Sequence, residues 1–157
     1  MRVAPKKSLG QNFLVNQGIL EKIVRAARIT SNDTVLEIGP GTGALTRELA
    51  QRAGSVIAVE KDRRLIPELQ EQFGIRANVR IVEGDVLFFK PSDHKLQASG
   101  YKIVGNIPYY ITSRFLKTVL ESWPAPELIV LTVQKEVAER ICAKPPHMNL
   151  LALSVRF

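Results

Sequence analysis

The chain has a single cysteine, Cys142, so it cannot close a disulfide on itself, and a reducing compartment suits it. Histidine is nearly as scarce. His94 and His147 stand far apart in sequence among residues that would not help them hold a metal, so no metal site is expected. No apolar run is long enough to span a bilayer, and Met1 to Leu9 has no apolar core of the kind a secretory leader needs. A cytoplasmic protein with no membrane partner is therefore expected. Repeats and low-complexity segments are also missing. What the 157 residues do have is a hydrophobic content of 45%, enough for one globular core, and a formal net charge of +7 from 22 basic and 15 acidic residues. That surplus points to a polyanionic partner, nucleic acid ahead of membrane. An ordinary lysine-rich surface is the competing explanation.

Apolar periodicity alternates between strand and helix along the chain. Ile19, Leu20, Ile23, Val24 and Ala27 fall at helical spacing, and Thr34 to Ile38 follows as a short buried strand. A helix carrying Ala44, Leu45, Leu49 and Ala50 leads to a second strand, Ser55 to Val59. Asp62 is the expected N-cap of a helix reaching Phe73, with Pro67 a candidate bend. Val79 to Val82 reads as the third strand, and Lys102 to Gly105 lies in the fourth. A helix from about Ser113 to Glu121, a strand from Leu128 to Val133 and a helix near Glu136 to Ala143 come next. Pro145 and Pro146 stop that last helix, and Leu150 to Phe157 reads as a sixth strand. The alternation implies a mostly parallel α/β sheet with helices on both faces. Continuous apolar strands fit a sheet covered on both sides. Because the chain stops inside an apolar segment, a fragment of something longer is expected.

Three successive strand ends carry polar groups. Gly39, Gly41 and Gly43 follow the first strand in Glu37-Ile38-Gly39-Pro40-Gly41-Thr42-Gly43, where glycine allows a tight turn and close approach of a ligand. The spacing is one residue shorter than the dinucleotide fingerprint and leaves less room for a pyrophosphate. Glu60 ends the second strand, where a carboxylate can accept from both hydroxyls of a ribose; a solvated strand-end charge beside Lys61 is the alternative. Asp85, in Glu83-Gly84-Asp85, can accept from the amino group of an adenine or else serve as a turn residue or helix cap. Together the three describe a nucleoside pocket at the carboxyl edge of a sheet.

Asn106-Ile107-Pro108-Tyr109 closes the fourth strand and suits a flat group bearing an NH2. The Asn106 side-chain oxygen can accept one amino hydrogen and the Ile107 carbonyl the other. Pro108 stiffens the backbone without a competing N–H, and Tyr109 can stack on the ring. Two acceptors aim the nitrogen lone pair at an electrophile, so positioning supplies much of the acceleration. An adenine in structured nucleic acid must be unstacked or flipped to reach such a site. A strand-to-loop turn is the plain explanation of the tetrapeptide. Phe13 reads as a docking residue of the amino-terminal arm, and Tyr110 as ordinary core packing.

With these motifs the chain resembles the ribosomal RNA adenine N6,N6-dimethyltransferases that act on small-subunit RNA. The resemblance runs through Lys7-Ser8-Leu9-Gly10-Gln11-Asn12-Phe13-Leu14, Glu37 to Gly43, Glu60, Gly84-Asp85, Asn106 to Tyr110, and Gln134-Lys135-Glu136-Val137-Ala138. It implies a Rossmann-like S-adenosylmethionine-dependent methyltransferase sheet, here ending after about six strands. Residues 1–157 are then a catalytic domain without the family's carboxyl-terminal helical RNA-binding domain. It implies S-adenosylmethionine as donor, contacted by Asn12, Leu14, Gly39, Glu60, Asp85 and Asn106, with Gly41 and Gly43 in the same loop. Asn106, Pro108 and Tyr109 would be catalytic, and Arg2, Lys6 and Lys7 would touch RNA phosphates. The implied substrate is small-subunit ribosomal RNA, or the immature small ribosomal particle, methylated twice at each of two neighbouring adenines. Three alternatives stay open: a sister enzyme acting on large-subunit RNA, a nicotinamide oxidoreductase, and a non-catalytic RNA-binding assembly factor.

Overall fold

A computed structural model describes residues 16–143. The expected sixth strand, the Pro145-Pro146 stop and the amino-terminal arm lie outside the described residues. The first helix, α1 (Gln17–Ala27), starts at Asn16, whose side chain accepts the Ile19 N–H at 3.2 Å, and ends where Arg28 turns left-handed. Its buried stripe is Leu20, Ile23, Val24 and Ala27. Four α/β alternations follow: β1 (Thr34–Ile38), α2 (Ala44–Ala50), β2 (Ser55–Glu60), α3 (Ile66–Phe73), β3 (Val79–Glu83), β4 (Lys102–Asn106), α4 (Thr112–Ser122), β5 (Leu128–Thr132) and α5 (Lys135–Ile141).

The five strands form one parallel sheet in the order β3-β2-β1-β4-β5. The order reverses between β1 and β4, which makes that pair the switch point where an open α/β sheet leaves a crevice at its carboxyl edge. Val35, Val56 and Val104 face α1 and α2 on one side. Leu36, Ile38, Ile57, Val59 and Ile103 pack with Phe115 and Val119 of α4 on the other. Both faces are covered, as the apolar runs require. The two outer strands differ from the central three: β3 and β5 are only partly buried, since each lacks a neighbour on one side among the described residues.

Two expectations are corrected. Asp62 does not cap α3, which begins at Ile66 with Leu65 in the capping position. The Asp62 carboxylate instead holds the Arg64 backbone N–H at 3.2 Å and its guanidinium at 2.6–2.9 Å, closing a turn before the helix. Pro67 lies in the first turn of α3, where its missing N–H has no helical partner to lose, so it does not bend the helix. Three short 3-10 turns, Val86–Phe88, Pro91–His94 and Tyr109–Ile111, went unpredicted. His94 lies in one of them, stacked on Phe89 with ring centroids 4.5 Å apart, and His147 is outside the described residues.

Candidate active site

The parallel register brings the polar strand ends to one edge. Ile38 lies beside Val59 and Gly105, and Glu60 lies beside Glu83. Beyond β1 the chain turns through Gly39, Gly41 and Gly43 with φ of 67°, 60° and 82°, a region that side-chain-bearing residues enter at a cost. A Cβ at Gly43 would also meet the Phe73 ring of α3 at 2.5 Å, so this glycine serves packing as well as the turn. A Cβ at Gly39 would stand 3.6 Å from the main-chain oxygen of Asn106. The glycine loop and the Asn106 end of β4 are therefore immediate neighbours.

Glu60 is buried, and its carboxylate is turned onto the backbone around it. The Gly41 N–H donates to Oε2 at 3.0 Å and the Asp62 N–H to Oε1 at 2.7 Å. Burial raises the carboxyl above its ordinary value, and these two hydrogen bonds offset that only in part. Asp85 caps the 3-10 turn after β3 by accepting the Leu87 N–H at 3.0 Å, and its other oxygen accepts from Lys61 Nζ at 2.8 Å. Burial works against its charge, but Lys61 and the Leu87 N–H prevail and hold the carboxyl below the usual range. Each oxygen of both carboxylates keeps a second lone pair with which to accept from a ligand.

Sequence reasoning treated Glu37 as a strand residue, yet it is the most perturbed acid of the site. It sits between Ala58 and Val104, fully buried on the α1–α2 face. Burial pushes its carboxyl up to about 8; the Thr46 hydroxyl counteracts this weakly and the Glu60 charge adds to it. Neither carboxyl oxygen nor the Thr46 hydroxyl completes a hydrogen bond of good geometry. A lone glutamate inside the apolar run Thr34 to Ile38 was the signal that could have found it.

At the end of β4 the side chain of Ile107 is fully buried and anchors the segment, while Asn106 and Pro108 are partly open. The chain then enters the 3-10 turn Tyr109–Ile111, closed by the Ile111 N–H on the Pro108 oxygen at 3.2 Å. The side chain of Tyr109 lies outside the described set. Tyr110, expected in the core, is 62% exposed, because the turn sends Ile107 inward and this ring out. The site thus brings together Gly39, Gly41, Gly43, Glu60, Asp85, Asn106 and Pro108, whereas Asn12, Leu14, Arg2, Lys6, Lys7 and Phe13 fall outside the described residues. Among the described residues no cluster of three or more His, Cys, Asp or Glu could hold a metal, and no helix is long and apolar enough to cross a membrane.

The chain matches the family model described as ribosomal RNA adenine dimethylase over residues 3–156. It is 51% identical over 152 residues to ribosomal RNA small subunit methyltransferase A of Dehalococcoides mccartyi, a match covering 97% of this chain and 52% of that protein. The like-named protein of Moorella thermoacetica is 48% identical over 163 residues, covering 98% and 56%. Among solved structures, a dimethyladenosine transferase from Plasmodium falciparum superposes with a TM-score of 0.74 at 37% identity, over 85% of this chain and 47% of that one. The 23S rRNA methyltransferase ErmE gives 0.71 at 36% identity, over 82% and 50%. The chain spans about half the length of the curated relatives it matches. By family match and by identity alike, the chain belongs to the ribosomal RNA adenine dimethylase family.

Proposed function

We propose that residues 1–157 are the catalytic domain of a cytoplasmic S-adenosylmethionine-dependent enzyme of ribosome biogenesis. It dimethylates the N6 amino groups of two adjacent adenines in small-subunit ribosomal RNA, free or within an immature small particle. The observation that carries this reading is the contact between the glycine loop and the Asn106 end of β4 at the switch point of the sheet.

The residues at this edge fit a nucleoside-bearing cationic donor. Three glycines with positive φ leave main chain uncovered by side chains, and the acids Glu60 and Asp85 stand at the next two strand ends. Glu60 would take the ribose hydroxyls, Asp85 the adenine amino group, and Asn12 and Leu14 would complete the donor site from the amino-terminal arm. When bound, the donor supplies an electrophilic methyl group on a positively charged sulfur. The chain's own task is to present the acceptor. The Asn106 amide oxygen and the Ile107 carbonyl would each accept one hydrogen of the target amine, turning its lone pair outward. Pro108 holds that backbone, and the aromatic at position 109 would stack on the flipped base. An amine that already carries one methyl still has one N–H to give, so one of the two acceptors can still hold it for a second transfer. Arg2, Lys6 and Lys7 would bind phosphates.

The test is incubation with radiolabelled donor and immature small ribosomal particles, followed by digestion to nucleosides. Label in dimethyladenosine, reduced at least about 100-fold by Asn106→Ala, is the expected result. Label only on large-subunit RNA would shift the substrate to the sister reading. Unchanged activity in Asn106→Ala would remove the catalytic assignment.

A further inference from the structure

Two large aromatic side chains stand out in water at the carboxyl edge: Phe88 at 74% exposure and Tyr110 at 62%. Each belongs to a 3-10 turn, one after β3 and one after β4, and α4 packs against both turns. The Tyr110 phenol lies within electrostatic reach of the Lys61 ammonium at the end of β2. Arg114, on the outward face of the first turn of α4, is exposed and acts on the charge of Asp85. Inward, the same helix buries Thr112, Phe115, Leu116 and Val119, so Arg114 is not needed for packing. The mouth of the site therefore carries an exposed ring with two cations in its surroundings, in a chain whose net charge is +7.

A ring with nearby cations suits single-stranded nucleic acid, where every base offers a face to stack on and every linkage a negative charge. It suits an apolar protein partner poorly, because docking one there would strip water from Lys61 and Arg114 without giving them counter-charges. Lys61 is already half-committed to Asp85, at 2.8 Å, which leaves Arg114 the better placed of the two for a phosphate.

We propose that Tyr110 and Arg114 form a docking strip for the RNA segment flanking the target adenine, the phenol ring stacking on a neighbouring base and the guanidinium taking an adjoining phosphate. The strip rests on the methyl-transfer reading for its choice of RNA segment, but it makes its own contacts and is testable apart from catalysis.

The experiment titrates the chain against a fluorescein-labelled hairpin RNA whose loop holds two adjacent adenines, by anisotropy at several salt concentrations, with donor affinity measured by calorimetry in parallel. Tyr110→Ala should weaken RNA binding about tenfold, Tyr110→Phe should restore it, and donor affinity should stay within about twofold. Arg114→Ala should weaken binding and lower the salt slope by about one. The proposal is overturned if the unsubstituted chain does not bind this RNA, if neither Ala variant changes RNA affinity, or if Tyr110→Ala instead lowers donor affinity, which would place the ring over the donor. If RNA binds with the expected dependence but the donor does not bind at all, the strip stands and the methyl-transfer reading falls.

Discussion

The two edges of the sheet both bury ionisable groups, and they treat them in opposite ways. At the amino edge Lys102 opens β4 with a side chain only 5% exposed, yet its ammonium is fully employed. It donates to the Arg28 carbonyl at 3.0 Å and to Asp33 at 2.9 Å, with Glu127 at 3.7 Å. Asp33 in turn accepts the Thr30 N–H at 2.6 Å, so one small network ties the α1–β1 turn to β4 and β5. At the carboxyl edge Glu37 is buried more deeply and has no completed hydrogen bond, and Glu60 spends one oxygen on the glycine loop and the other on the Asp62 N–H. A buried polar group that is satisfied holds a fold together; one that is not costs stability and is retained where a ligand or a reaction needs it. The amino edge is a clamp, and the carboxyl edge is the one we propose as a receptor. An apolar groove between α4 and the start of β5, lined by Val119, Leu120, Trp123, Pro126 and Ile129, opens at the clamp end, away from the receptor.

The sharpest way to break this contrast is to neutralise Glu37. Its folded carboxyl titrates near 8 against an ordinary value of 4.5, so between those values the folded state holds a proton that the unfolded chain has released. Stability must then fall as pH rises through that window, by about 1.4 kcal/mol per pH unit. Glu37→Gln should remove the slope and raise stability at pH 8 by several kcal/mol, about 4 on this arithmetic, in urea melts of the ligand-free chain. An unchanged slope would mean that Glu37 is not held neutral.

The clamp should show the opposite sign and a smaller size. Burial opposes the Asp33 charge, but the Lys102 and Thr30 hydrogen bonds prevail and set its carboxyl below 3.8. Its contribution is present above that value and is lost as pH falls through the depressed one. Lys102→Met should cost about 2 kcal/mol at neutral pH, short of a fully buried pair because Asp33 touches water. The variant should also lack the wild type's loss of stability in acid. An equal acid sensitivity in the two chains would deny the clamp its role.

Smallest in stability is Gly43→Ala, where the left-handed φ and the Phe73 ring together should cost about 1–2 kcal/mol. Donor affinity should fall with it, because Gly41 and Gly43 belong to one turn. A variant that loses stability but keeps donor affinity would confine Gly43 to packing.

The sequence made some of this contrast visible and hid the rest for physical reasons. Apolar runs marked the strands, and in a parallel sheet their carboxyl ends share an edge, so Gly39, Glu60, Asp85 and Asn106 could be grouped before any coordinates. The start of α3 was misplaced because Asp62 has a better partner in Arg64 than in a helix N-terminus, a competition that composition does not rank. The 3-10 turns are three or four residues long and carry no period to detect, which is also why Tyr110 was assigned to the core. Glu37 went unremarked because its perturbation comes from β2, β4 and α2 packing around it, and burial of that kind is tertiary.

One titration tests the receptor most directly: S-adenosylmethionine added to the ligand-free chain in a calorimeter, beside Glu60→Ala and Asp85→Ala. The account predicts one equivalent bound by the unsubstituted chain and about tenfold or greater weakening in each variant, since on the proposed reading each would lose a charge-assisted hydrogen bond to the donor. Saturable binding that neither substitution alters, or no binding at all by a correctly folded chain, would contradict it.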